Sequence, residues 1–137
     1  MSNNDEMKIN EEEIKKICNS PELLEDEIKK TVDLEMIEKY SSFLRLLANP
    51  IRMKILIILS NKDWACNCEF EAVLKIHQTL VSHHLRYLRN NGLIEYKKHG
   101  QWKLYKITKE ARIFIEELLK IMEQTSIINA KSKISRK

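Results

Sequence analysis

Glycine and proline are scarce, with 2 of each in 137 residues, so the chain has little from which to build the glycine-rich loops that cradle phosphates in many enzymes. No nucleophile stands with a base, and no pair of carboxylates has catalytic spacing, so the sequence does not read as an enzyme. Long apolar runs are also missing. The longest, Ile55 to Leu59, falls far short of the ~18 residues that cross a bilayer, and the acidic Met1 to Glu6 does not read as a secretory leader. Cysteine is sparse and odd in number, at Cys18, Cys66 and Cys68. That count argues against a disulfide framework and for a reducing, cytoplasmic setting.

What is present is a composition that can pack: 43% of residues are apolar and 32% charged, which suits one ordinary domain with short additions and excludes a disordered chain. The charge is divided unevenly. Up to Phe43 there are 6 lysines against 12 acids, a balance of −6, while from Leu44 onward 18 Lys and Arg face 8 acids, a balance of +10. A basic body behind an acidic leading segment points to a polyanionic partner, most often nucleic acid.

The few punctuating residues mark element ends. Ser20-Pro21 and Asn49-Pro50 each read as an N-cap followed by proline at the first helical position. Ile37, Tyr40, Leu44 and Leu47 recur at helical spacing, which predicts a helix with one buried stripe. A short buried helix is expected over Ile51 to Leu59. Two more are expected over Cys66 to Ile76, with Phe70, Val73 and Leu74 inward, and over Gln78 to Asn91, with Leu80, Val81, Leu85 and Leu88 inward. Gly92 closes the second of them. Two short successive helices make a helix-turn-helix, and the strand-like runs Leu93 to Lys97 and Trp102 to Ile107, joined by the turn Lys98-His99-Gly100-Gln101, make a hairpin wing on which Trp102 and Tyr105 pack against the body. After Thr108, an N-cap, Ala111, Phe114, Ile115, Leu118, Leu119 and Met122 form a broad apolar stripe. That face needs a cover, which a second copy or the chain's own core could supply.

Four segments carry a resemblance: Asn49-Pro50-Ile51-Arg52, the Cys66-Asn67-Cys68 pair, the run from Gln78 to Ile94, and Gly100-Gln101-Trp102-Lys103-Leu104-Tyr105. In order and spacing they resemble the ArsR/SmtB family of winged-helix repressors, over about Leu44 to Thr108. The resemblance implies a mainly α fold with a small β-hairpin, a winged helix-turn-helix that forms a homodimer through its N- and C-terminal helices. It further implies a repressor that holds double-stranded operator DNA, touches no membrane, and lets go on meeting a metal, metalloid or oxidant. Three segments are expected: an acidic helical extension over 1–33, the DNA-binding and dimerisation domain over 34–126, and a basic tail over 127–137.

The residues themselves suit that task. At the start of a recognition helix Gln78, Thr79, Ser82, His83 and Arg86 are the candidates for base edges and phosphates, with His83 preferred to His84 because adjacent helical residues point about 100° apart. On the wing Lys97, Lys98, His99 and Lys103 would meet phosphates or the minor groove. Cys66 and Cys68 at a helix start are candidate soft-metal ligands, although on a regular helix such a pair diverges, so an extended or distorted first turn is required. Trivalent arsenic or antimony, lead and cadmium suit a third thiolate. One type of arsenic sensor in the family supplies it three residues after the pair, where this chain has Glu71, so Cys18 is the expected third ligand. No organic cofactor is expected. A rival use of the same cysteines is redox sensing, through a disulfide within the pair or with Cys18.

Overall fold

The structure is a computed structural model that describes residues 8–18 and 21–125. They fall into two compact units divided between Phe43 and Leu44, the point at which the charge balance changes sign. In the first unit α1 (Glu11–Ile17) is capped by Asn10, whose side chain accepts the Glu13 N–H at 2.8 Å. Then α2 (Pro21–Thr31) begins on proline; its expected cap, Ser20, lies outside the described residues, as does the tail 127–137. Neither helix buries a single residue. A third helix, α3 (Leu34–Leu47), runs across the division. Its expected buried stripe is corrected: Leu47 is buried, but Ile37, Tyr40 and Leu44 are exposed, because no described residue covers that face.

The second unit is built by punctuation and packing together. Asn49 accepts the N–H groups of Ile51 and Arg52 at 3.0 and 3.1 Å and starts α4 (Pro50–Ser60), satisfying donors that the first helical turn leaves unpaired. There follow β1 (Ala65–Cys66), α5 (Asn67–Leu74), α6 (Gln78–Asn90), β2 (Ile94–His99), β3 (Trp102–Ile107) and α7 (Lys109–Gln124). Lys75 ends α5 in the left-handed region at φ 55°, and Gly92 does the same work after α6 at φ 77°. Gly100, at φ 62°, leaves a two-residue turn between His99 and Trp102, so Lys98 and His99 belong to the strand and not to the turn.

The strands form one antiparallel sheet in the order β1-β3-β2. The core collects Ile55, Leu56 and Leu59 of α4, Phe70 of α5, Val81, Leu85 and Leu88 of α6, Ile107 of β3 and Ile115 of α7. Thr108 caps α7 by accepting the Ala111 N–H at 3.3 Å, and Arg112 ties α7 to α4 by donating to the Ser60 carbonyl at 2.6 Å. The molecule is thus a mainly α winged helix-turn-helix with a small sheet.

Three inward placements are corrected. Val73, Leu80 and Trp102 are exposed, because α5 and α6 each bury a narrower stripe than their apolar content and the hairpin projects beyond the body at Trp102. Of the α7 stripe, Ala111 and Ile115 are buried, while Phe114 and Met122 stay exposed.

Candidate nucleic-acid interface and thiol pair

One face of α6 is committed to the core by Val81, His84, Leu85 and Leu88, and helical periodicity then turns the remaining positions outward. Gln78, Thr79, His83 and Arg86 are exposed and Ser82 is half-buried, so the five candidates share the outward side of the helix. His77 fixes its first turn by accepting the Thr79 N–H on Nδ1 at 3.1 Å. His84 points the other way, with its Nδ1 buried and unpartnered among the described residues. Burial, and secondarily the charges of Arg52 and His83, hold its pKa below the ordinary 6.5. Arg52 itself donates from Nε to the Leu46 carbonyl at 2.7 Å and lies over the Tyr87 ring at 4.6 Å.

Lys97, Lys98, His99 and Lys103 are all exposed on the hairpin. The ammonium groups of Lys97 and Lys106 both approach the Trp64 ring, at 5.6 and 5.5 Å. Arg89 and Tyr96, missed at the sequence level, join this surface. The Arg89 guanidinium lies 4.9 Å from the centre of the Tyr96 ring. Arg89 sits three residues after Arg86 and seven after Ser82, the spacing of one helix face, and that periodicity was the available signal.

The cysteine pair departs from expectation. Cys66 is not in a helix at all: it ends β1 and caps α5 with extended backbone, φ −91° and ψ 158°. That extension turns its side chain toward Cys68, and the sulfurs are joined as a disulfide with Cα atoms 5.4 Å apart. Extended backbone at Cys66 thus supplies the extended first turn that lets the two sulfurs meet. Cys66 is almost fully buried and Cys68 exposed. Glu69 accepts the Cys66 N–H at 3.0 Å and pairs with Lys62, whose hydrogen bond does most to hold the Glu69 carboxyl below its usual pKa. Cys18 is free and exposed, following α1 in the other unit. Among the described residues no group of three or more His, Cys, Asp or Glu side chains is gathered for a metal ion.

Comparison with known proteins agrees with the geometry. A family model described as bacterial regulatory protein, arsR family, matches residues 49–96. The arsenical resistance operon repressor of Bacillus subtilis is 28% identical across 56% of this chain and 72% of its own length. A cadmium resistance transcriptional regulatory protein, the CadC homologue of Staphylococcus aureus, is 27% identical across 70% of this chain and 82% of its own. Among solved structures, HlyU from Vibrio cholerae superposes with a TM-score of 0.56 at 30% identity, covering 64% of this chain and 95% of that one.

Proposed function

Because the chain belongs to the ArsR family of DNA-binding transcriptional regulators, we propose that it is a homodimeric repressor that leaves its double-stranded operator when a thiophilic ion binds. As(III) is the favoured ion, with Cd(II), Pb(II) and Sb(III) as alternatives, and Cys66, Cys68 and Cys18 are the ligands. Family membership also makes the chain a regulator and not an enzyme. The observation that carries the sensing half is the position of the pair. Cys66 lies in a strand paired with β3 of the wing, and Cys68 in the first turn of the helix that precedes α6. A change at these sulfurs therefore bears directly on both elements expected to touch DNA.

The donor chemistry fits. Two sulfurs already brought together, once reduced to thiolates, are soft ligands of the kind these ions prefer. Relatives named for arsenical and cadmium resistance support the choice of signal. Gln78, Thr79, Ser82, His83 and Arg86 would read or position the major groove, and Lys97, Lys98, His99 and Lys103 would meet the backbone. Segment 1–33 would act as the arm that delivers Cys18, 34–126 as the DNA-binding and dimerising body, and 127–137 as a basic tail, in the cytoplasm.

The test is fluorescence anisotropy of reduced protein on its own promoter DNA, without oxygen, before and after arsenite. Release by arsenite and none by magnesium is the expected result. The double variant Cys66→Ser, Cys68→Ser should bind DNA and ignore arsenite; a retained response would move the site elsewhere. Cys18→Ser should weaken ion binding, and unchanged affinity and stoichiometry would remove Cys18 from the ligand set. A second reading, with thiol oxidation as the signal, draws its support from the bond between Cys66 and Cys68. Release by a thiol oxidant with no response to arsenite would favour it.

A further inference from the structure

A polar cleft of about 170 Å³ lies between α6 and the hairpin, well below the ~300 to 1,000 Å³ of pockets for drug-sized molecules. Three cations line it: Arg86 and Arg89 from the helix, and Lys103 from β3. Ser82 and Asn90 add hydrogen-bond donors, and Tyr96 and Tyr105 complete the lining, with no carboxylate among the lining residues. The ion pairs among the described residues lie elsewhere, at Lys30–Glu27, Lys62–Glu69 and Lys120–Glu117. The positive charge of the cleft is therefore not neutralised within the described chain.

Its groups are also held in place. Arg89 rests on the Tyr96 ring, which in turn lies 5.5 Å from the ring of Tyr105. Burial raises the pKa of Tyr105, while the charges of Arg89 and Arg86 act in the opposite sense. Across the hairpin Lys103 stands directly opposite Lys98. Like charges in that position destabilise a bare hairpin, and an anion beside them relieves the repulsion. Guanidinium forks, an ammonium and short polar donors are the groups that recognise phosphate.

We propose that this cleft seats a single tetrahedral phosphate oxyanion, held by Arg86, Arg89 and Lys103, so that one bound group bridges the recognition helix and the wing. The phosphate could belong to the backbone of bound DNA or be free inorganic phosphate. The first source rests on the DNA-binding reading above and the second does not.

Two measurements on the full chain separate these sources. In the first, inorganic phosphate is titrated at constant ionic strength against wild type, Arg89→Ala and Lys103→Ala, and backbone amide NMR shifts are followed. In the second, promoter DNA affinity of the same proteins is measured as a function of KCl concentration. A DNA phosphate predicts a salt slope lower by about 1 in each variant, a uniform loss across DNA sequences, and Arg89→Lys restoring the slope. A free oxyanion predicts saturable shifts at residues 82–105 in wild type that both variants lose. Unchanged salt slopes together with no saturable shifts overturn the proposal. Wild type that fails to bind promoter DNA sinks the repressor reading, while the phosphate titration still decides the cleft. Lys103→Ala, on an exposed strand position, keeps the test usable if Arg89→Ala does not fold.

Discussion

Leu24 in α2 and Leu85 in α6 are the same side chain on helices of similar amphipathic character, yet Leu24 is 64% exposed and Leu85 is 0% exposed. The contrast extends to their neighbours. Ile14, Ile17, Leu23 and Ile28 of the leading unit are all exposed, whereas Val81 and Leu88 of α6 and Ile55, Leu56 and Leu59 of α4 are fully enclosed. Periodicity shows that a helix has an apolar face; it does not say what covers that face. In the body the chain's own sheet and helices do so. In the leading unit no described residue does, so those helices gain little stability from burial.

Substitutions can break that contrast or sharpen it. The largest effect is expected at Phe70→Ala in the fully buried centre of the body, a loss of about 3 to 5 kcal/mol in urea unfolding; a loss under 1 kcal/mol would mean that the body's core is not as closely packed as described. Asn49→Ala, which removes the acceptor for two N–H groups at the start of α4, should cost about 1 kcal/mol in the same assay.

A smaller, pH-dependent effect is expected at His84. Its pKa is depressed by burial, so the folded state resists a proton that the unfolded chain accepts. The associated stability is present above the ordinary pKa of about 6.5 and is lost as pH falls through the depressed folded value. Melting temperature should therefore drop between pH 7 and 5 more steeply in wild type than in His84→Leu, and equal slopes would show that the ring titrates normally. Leu24→Ala should shift the unfolding of the body by less than about 0.5 kcal/mol. A core-sized loss there would show that the α2 face is covered after all, and the contrast would collapse.

Legibility followed the same division. Asn49-Pro50, Gly92, Gly100 and Thr108 placed element ends correctly because capping and positive φ are local requirements read from one or two residues. The outward side of α6 was legible because 3.6-residue periodicity needs only one strongly buried face. By contrast β1 was invisible: two residues, Ala65 and Cys66, are too few to show alternation, and their strand character comes from pairing with residues far along the chain. Missing that strand put Cys66 inside the helix instead of in the strand ahead of it. Arg89 and Tyr96 were missed for a related reason, since their meeting joins α6 to the hairpin and neither segment announces it alone.

The same short strand has a consequence for the order in which the molecule assembles. Hairpin β2/β3 can close locally, but β1 reaches β3 only by pairing Ala65 with Tyr105 and Cys66 with Leu104, which closes a loop containing both α5 and α6. Long loops are closed late because the entropic cost is met before the contacts form. With only two residues of ladder to hold it, β1 is expected to be a late strand of the body to dock. The almost fully buried Cys66 thus sits on the shortest strand of the sheet, where a local opening, with the helices intact, would expose its sulfur to reductant or ion without global unfolding.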